Sequence, residues 1–395
     1  DVLCAVASDA PSLPCPQCGA VALDELAPDQ TLCEWRAYNL STTSSSSSSS
    51  SLSLRVSRCE LARNDVAVVR RARLGSRRVA LKRLIEAPAL NSAARSAPLE
   101  AVLEWRREIE CLLSLATGPA GGAPPLAATS ANNDDYSGTC FVTPLLGFLA
   151  SPPSIALPLA RHGDLYHWLR SDAPISQSLR MRMALDIARG LSFLHNLTPP
   201  LIHADFKSPN VLVFGTDAKR LCCRIADFGS ATRSPTLGVA RRCAPVTNPT
   251  WAAPETLGAG VIVARSDVYA LGIVLWELAT RAHPFADVLG AGGVFMARLE
   301  LAVTRGVRPT MPTGLPRRYT DVIRACWQTL PRRPTSRAIV KQLFACVRYV
   351  CEPNTIAFDS TFDSLGADDD LSSILDTDDD EDEEDDDDDE IDKLG

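Results

Sequence analysis

The sequence lacks the features that would indicate a membrane-spanning protein or a nucleic-acid-binding protein. No uninterrupted apolar run reaches the roughly 18 residues that a membrane-spanning helix needs, and the nearest candidate, Val268 to Ala279, is interrupted by Glu277. No platform of interleaved basic and aromatic side chains, of the kind that stacks on nucleic-acid bases, is visible. The sequence therefore supports neither a membrane partner nor a nucleic-acid partner.

The thirteen cysteines do not form a recognisable disulfide framework. Their number is odd, and Cys222 and Cys223 are adjacent in a strand pattern, which would direct the two thiols to opposite faces. We expect buried thiols in a reducing compartment, the cytoplasm, with the nucleus as the alternative. Cys15 and Cys18 have the spacing of half a zinc knuckle, but a second pair at the right spacing is absent, so incidental thiols are favoured over a zinc site.

Low-complexity segments divide the chain into three regions. Residues 1–51 end in a stretch of only Ser and Thr, which predicts a mostly disordered region with a flexible linker. Residues 52–350 carry the apolar patterns of a folded domain, interrupted by polar insertions at 87–97 and 117–139. Residues 351–395 are expected to be a disordered acidic tail.

Charge is distributed unevenly between these regions. The net charge is −8, but 18 Asp and Glu residues lie between Asp368 and Asp392, with Lys393 as the only base of the tail. The remaining chain has 39 basic and 30 acidic residues, so the folded body is basic. The tail is most simply a solvated segment; the alternative is that it folds back on the basic body or recruits basic protein partners.

Two polar loops in the middle region follow apolar segments. Between Leu201 and Val213 the chain reads His-x-Asp-x-Lys-x-x-Asn, which places Asp205, Lys207 and Asn210 within six positions of one another. A carboxylate can accept a hydroxyl proton, an ammonium group can bind a phosphate, and an amide oxygen can bind a metal ion. Seventeen positions after Asn210, a second apolar segment leads into Asp-Phe-Gly at residues 227–229.

These two motifs, in this order and at this spacing, resemble the catalytic and metal loops of eukaryotic-type protein kinases. The resemblance runs from about Leu52 to Tyr349 and includes Val-Ala-Leu-Lys, ending at Lys82, and Ala-Pro-Glu, ending at Glu255. The segment Asn-Pro-x-Trp-x-Ala-Pro-Glu is similar to the tyrosine-kinase-like group. Lys207 matches the serine/threonine type within that group.

The resemblance implies an α+β, bilobal protein kinase fold. A small β-rich N-lobe would occupy about residues 52–157 and a larger helical C-lobe about residues 161–350. It further implies that Glu255 pairs with Arg333 and that Asp267, near the start of a buried helix, hydrogen-bonds to the backbone of the catalytic loop.

The resemblance also implies a signalling enzyme that transfers the γ-phosphate of ATP to Ser and Thr hydroxyl groups of protein substrates, with Mg²⁺ as a cofactor. Asp205 would be the catalytic base, and Lys207 would neutralise charge on the γ-phosphate. Asn210 and Asp227 would bind Mg²⁺.

The residues that bind the nucleotide would lie in the N-lobe and in the hinge between the two lobes. Lys82 would bind the α- and β-phosphates and would be held by Glu108, with Glu104, one turn earlier, as the alternative. The adenine pocket would be formed by five apolar side chains: Val68, Ala80, Leu157, Leu159 and Leu212.

Two departures from the family pattern leave a pseudokinase, a binding or scaffolding module, as the alternative to an active enzyme. Counting back from Val68, the three positions of the glycine-rich loop carry Leu61, Arg63 and Val66, whose side chains would keep backbone amides away from the phosphates. Ala204 replaces the arginine that anchors a phosphorylated activation loop, so regulation by loop phosphorylation would lack its usual partner.

Overall fold

The computed structural model describes residues 32–35, 52–64, 66–75, 77–85, 96–117, 141–149, 152–216, 221–234, 241–242, 249–286 and 295–350. The Cys15–Cys18 pair, most of both insertions and the acidic tail lie outside these residues. Within the described ranges, no helix is both long and apolar enough to cross a membrane. The same residues contain no cluster of three or more His, Cys, Asp or Glu side chains suited to a metal ion.

The N-terminal lobe is built on a six-stranded antiparallel sheet with the strand order β1-β2-β3-β4-β6-β5. Its strands are β1 (Leu32–Trp35), β2 (Leu52–Arg63), β3 (Ala67–Leu74), β4 (Arg77–Leu84), β5 (Gly147–Leu149) and β6 (Ser154–Pro158). Apolar residues alternate or cluster along β2, β3 and β4, as is typical of strands with one buried face, and Asn64 lies in the turn between β2 and β3. The sequence analysis did not predict β1, which precedes the serine-rich stretch.

The sheet has two different faces because side chains alternate along each strand. One face is an apolar core that includes Leu54, Ala72, Val79 and Leu81. The opposite face meets the helix α1 (Ser96–Thr117), where Trp105 contacts Phe148 edge to face at a ring-centroid distance of 6.5 Å. This second face therefore carries the side chains that can reach α1 and the space between the two lobes, called the cleft below, where Lys82 contacts Asp227.

The C-terminal lobe is mainly helical. Its helices are α2 (Leu165–Leu169), α3 (Gln177–His195), α4 (Pro254–Ala259), α5 (Ala264–Thr280), α6 (Phe295–Thr304), α7 (Arg317–Cys326) and α8 (Ser336–Val350). Short antiparallel pairs join β7 (Leu201–Ile202) to β10 (Thr232–Arg233), β8 (Val211–Phe214) to β9 (Cys222–Ile225), and β11 (Arg241–Arg242) to β12 (Val261–Ile262). A β-sheet lobe followed by a helical lobe confirms the α+β kinase fold that the sequence predicted.

Helix α5 is the central element of the helical lobe. Its sequence is apolar nearly all round, and such a helix is stable only inside a domain; accordingly, almost every residue from Ala264 to Leu278 is buried. Gly272 allows the closest approach of a neighbour. A Cβ atom added there would lie 2.6 Å from Cys326 Cβ and 2.8 Å from Trp327 Nε1.

We expect Gly272→Ala to lower the free energy of unfolding by about 1–2 kcal/mol, because the overpacking outweighs the gain in helix propensity. Urea denaturation of the full chain measures this change. Gly258→Ala is the matched control, since a Cβ atom there meets nothing closer than Thr304 Cγ2 at 3.8 Å. Equal stability of the two variants would contradict the packing argument.

Candidate active site

The loop between β7 and β8 contains the first polar motif, and hydrogen bonds to α5 hold this loop in place. Asp267 accepts hydrogen bonds from the backbone amides of His203 (2.8 Å) and Ala204 (3.0 Å). Ala204 has a φ of 67°, in the left-handed region that costs energy for a residue with a side chain. The contact predicted for Asp267 is therefore confirmed, and the buried carboxylate holds the loop in this conformation.

The three polar side chains of this loop contact one another. Lys207 Nζ donates to Asp205 Oδ2 at 2.6 Å. Asn210 Nδ2 donates to the Asp205 carbonyl at 2.8 Å and to Asp205 Oδ2 at 3.2 Å. These bonds occupy the amide nitrogen of Asn210, so its Oδ1 is the atom available to a ligand. The Asp205 side chain is 41% exposed and can be reached by a substrate.

His203 connects this loop to the second polar motif. Its imidazole is fully buried, with Nε2 3.1 Å from the Ala226 carbonyl and the ring centroid 5.3 Å from that of Phe228. Leu112 of α1 is also buried. The contact between His203 and Phe228 places the residue before Phe228, Asp227, next to the catalytic loop.

Lys82 joins the sheet, α1 and the second loop at one point. Its Nζ lies 2.9 Å from Glu108 Oε2 and 2.9 Å from Asp227 Oδ1. Glu108, rather than the exposed Glu104, is thus the helix partner, as the sequence predicted. Arg107 reinforces the contact by donating to the Gly229 carbonyl at 2.7 Å.

The charges of this cluster influence one another. Burial opposes the charge of Lys82, but the carboxylates of Glu108 and Asp227 outweigh it and raise the pKa of Lys82 above its usual value. Burial also raises the pKa of Glu108. Partial burial would also raise the pKa of Asp227, whose side chain remains 44% exposed, but the Lys82 ammonium group outweighs this effect and lowers that pKa. Lys82 and Asp227 therefore both remain charged at neutral pH.

The strand register corrects one predicted adenine contact. Val68 pairs with Arg83, whereas Val69 pairs with Lys82. Because directly paired residues share a face, Val69 lies on the cleft face with Lys82, and Val68 lies on the opposite face. The prediction of Val68 as a pocket residue was wrong by one position, because both valines fit an apolar strand pattern.

The other predicted pocket residues lie on elements that border the cleft. Ala80 and Leu157 pair directly across β4 and β6 and share the face of Lys82. Leu159 follows the last residue of β6 and is partly exposed. Leu212 in β8 is also partly exposed, between Val211 and Val213, which are fully buried.

The corrected register also changes the residues at the three glycine positions. Counting back from Val69 instead of Val68, they are Ala62, Asn64 and Ala67, rather than Leu61, Arg63 and Val66. The hairpin agrees with this count, because Ala62 pairs with Val69 and Arg63 with Val68. Small or polar residues therefore occupy all three positions, and the large side chains of Leu61 and Val66 are 41% and 42% exposed.

The turn between β3 and β4 is a feature of the sequence that indicates this register. Counting the glycine positions back from Val68 did not take this turn into account. Leu74 and Arg77, which pair with each other, are separated by two residues, and the first residue of that gap is Gly75. Gly75 has a φ of 57°, which favours glycine in such a turn. Counting outward from this turn leads to Val69 opposite Lys82.

Asn210 and Asp227 suit a hard divalent cation. Asn210 Oδ1 and the carboxylate of Asp227, whose side chain is 44% exposed, are oxygen donors of the type that Mg²⁺ prefers. The low pKa of Asp227 keeps that carboxylate ionised. The residues present therefore fit the ion that the sequence predicted.

A second predicted ion pair lies beneath the site. Arg333, 1% exposed, donates to Glu255 Oε1 at 2.7 Å and to Oε2 at 3.1 Å. Arg333 Nη1 also donates to the Arg265 carbonyl at 2.7 Å. This bidentate pair connects the start of α4 to the segment before α8 and confirms the predicted pairing.

Proteins of similar sequence include probable protein kinases, in agreement with the arrangement of the site described above. Cyclic GMP-binding protein C of Dictyostelium discoideum is 42% identical over 205 residues, 51% of this chain and 8% of that protein. The probable serine/threonine-protein kinases roco6 and roco11 of the same organism are 38% identical over 216 residues and 33% identical over 206 residues, 10% and 13% of their lengths, and each alignment covers 51% of this chain. The chain spans about a tenth of the length of these curated relatives.

A family model described as protein tyrosine and serine/threonine kinase matches residues 140–343. The match includes the catalytic loop, the Asp-Phe-Gly segment, α5 and the Glu255–Arg333 pair, and it covers 204 of the 395 residues. It agrees with the resemblance to the tyrosine-kinase-like group. The chain therefore belongs to the protein tyrosine and serine/threonine kinase family.

Proposed function

We propose that this protein is an active serine/threonine protein kinase that uses ATP and Mg²⁺. The observation that carries the proposal is the position of Lys82 Nζ, 2.9 Å from both Glu108 and Asp227. It brings together three groups that are far apart in the sequence, on the sheet, on α1 and on a loop of the helical lobe. Phosphoryl transfer depends mainly on such positioning and on neutralisation of charge.

The nucleotide would be held between the two lobes. Ala80, Val69, Leu157, Leu159 and Leu212 would enclose the adenine ring, with Val69 replacing Val68. A separate set of charged and amide groups, Lys82, Asn210 and Asp227, would face the phosphates. Bound Mg²⁺ supplies positive charge that offsets the negative charge of the phosphate oxygens.

Asp205 and Lys207 would act at the reacting phosphate. The substrate hydroxyl oxygen forms a bond to the γ-phosphorus, the bond from the γ-phosphorus to the bridging oxygen of ADP breaks, and the hydroxyl proton passes to Asp205. Lys207, whose Nζ lies 2.6 Å from Asp205 Oδ2, would contact the γ-phosphate and balance its charge.

Serine and threonine are the proposed acceptors for two reasons. Lys207 stands two positions after the catalytic Asp205, as in the serine/threonine type, and tyrosine kinases usually have Ala or Arg there. Several relatives are named probable serine/threonine-protein kinases, among them roco6 and roco11.

The test is transfer of labelled γ-phosphate from ATP·Mg²⁺ by the full chain to a mixture of basic and acidic proteins, followed by phosphoamino-acid analysis. We expect label on Ser and Thr, and about 10³-fold slower labelling with the Asp205→Ala variant. Equal silence of the wild type and the variant would contradict the proposal.

A binding or scaffolding module without turnover is the second candidate. One observation favours it: two backbone amides of the phosphate loop, those of Val66 and Ala67, are already hydrogen-bonded to Asn64 Oδ1. A thermal shift with ATP but no transfer of phosphate would support this candidate over the first.

A further inference from the structure

The tip of the β2–β3 hairpin lies where a kinase covers the phosphates of its nucleotide. In this family the loop reads Gly-x-Gly-x-x-Gly-x-Val, and the backbone amides of its tip face the phosphates. Ala62, Asn64, Ala67 and Val69 occupy the four named positions of that motif, by the register of β2 with β3 and of β3 with β4. Asn64 and Ala67 therefore flank the tip.

Asn64 binds the amides of this tip through its own side chain. Its Oδ1 accepts a hydrogen bond from Val66 N at 2.9 Å and another from Ala67 N at 2.6 Å. The backbone N–H of Asn64 donates to the Ala67 carbonyl at 3.0 Å, which closes the hairpin. One carboxamide oxygen thus occupies two donors that a phosphate oxygen would otherwise use.

The arginine side chains near Asn64 do not replace the tip amides as the groups that would bind phosphate. Arg63, next to Asn64, forms two hydrogen bonds with Glu60, at 2.9 and 2.7 Å. Arg70 Nη2 binds the same carboxylate at 2.8 Å. Both guanidinium groups are therefore engaged with Glu60 on the sheet, and the tip amides remain the groups of this hairpin that would contact phosphate.

We propose that Asn64 sets the affinity of this kinase for nucleotides by acting as an internal substitute for a phosphate oxygen. The proposal rests on the proposed function, because it presumes that ATP binds beneath the hairpin. ATP must displace the Asn64 carboxamide to reach the Val66 and Ala67 amides. Adenosine, which has no phosphate, does not compete with Asn64.

The experiment is calorimetric titration of the full chain with ATP·Mg²⁺ and, separately, with adenosine. Asn64→Gly removes the competing oxygen and leaves the amides free, so ATP should bind about tenfold more tightly, the equivalent of one or two net hydrogen bonds. Asn64→Asp keeps an acceptor at the same place and adds a negative charge, so ATP should bind more weakly than to the wild type. Adenosine should bind all three proteins equally.

The outcomes separate this inference from the proposed function. If adenosine binds but Asn64→Gly leaves ATP affinity at the wild-type value, the inference is overturned and the nucleotide site remains. If neither adenosine nor ATP binds the wild type or Asn64→Gly, both are overturned. A change in adenosine affinity equal to that for ATP would show that Asn64 acts on the fold of the hairpin rather than on phosphate, and would also overturn the inference.

Discussion

Replacing Asp205 with alanine lowers the rate of phosphoryl transfer by about 10³-fold, within the range typical of a lost general base. The affinity for ATP·Mg²⁺ should change little, because Lys82, Asn210 and Asp227 remain in place. The loss belongs to kcat because Asp205 acts on the acceptor hydroxyl and not on the nucleotide. Single-turnover transfer and nucleotide titration measure the two quantities separately.

Asp172→Ala is the matched control for this experiment. Asp172 is an exposed carboxylate of the same lobe, in the connection between α2 and α3, and has no part in the proposed site. Its removal should leave both the rate and the affinity unchanged. If the Asp205→Ala variant transferred phosphate at the wild-type rate, Asp205 would not be the catalytic base.

Replacing Arg333 with alanine should destabilise the protein by about 3–5 kcal/mol, the cost of breaking a buried ion pair on one side. The change leaves Glu255 without its bidentate partner and the Arg265 carbonyl without its donor. The Arg333 guanidinium also lies 5.2 Å from the centroid of the Tyr269 ring, so that contact is lost too. Urea denaturation measures the change.

Acidic pH should weaken the same pair. Burial would raise the pKa of Glu255, but its hydrogen bonds with Arg333 prevail and the pKa is lowered from 4.5. The stabilisation is therefore fully present above pH 4.5 and is lost as the pH falls through the lower, folded-state pKa. The difference in stability between wild type and Arg333→Ala should shrink in that range. A difference below about 1 kcal/mol at pH 7 would contradict a structural role for the pair.

The long-range pairings of the site could be predicted from the sequence because each partner lies in a recognisable motif. Lys82 and Glu108 belong to two such motifs, and the structure brings them within hydrogen-bonding distance, whereas the contact of Lys82 with Asp227 was not among the predictions. The same holds for Glu255 with Arg333. A motif fixes the residue type at a position, and the family fold then determines which positions meet.

The phosphate loop could not be predicted in the same way. Val68 and Val69 are adjacent and equally apolar, so the glycine-rich motif alone does not show which of them is its valine. An error of one residue in this choice places every side chain of the strand on the wrong face. The hydrogen bonds from Asn64 Oδ1 depend on the backbone conformation of the hairpin tip, which composition does not specify. The strand β1 was missed because it is short and lies outside the region with apolar alternation.

The central claim is that groups from both lobes surround one triphosphate with its metal ion. The dependence of ATP affinity on Mg²⁺, compared between wild type and Asp227→Asn, tests it most directly. We predict that Mg²⁺ strengthens ATP binding to the wild type and not to Asp227→Asn, while adenosine binds both proteins equally. An identical response to Mg²⁺ in the two proteins would show that Asp227 does not face the metal–nucleotide complex, and would contradict the account.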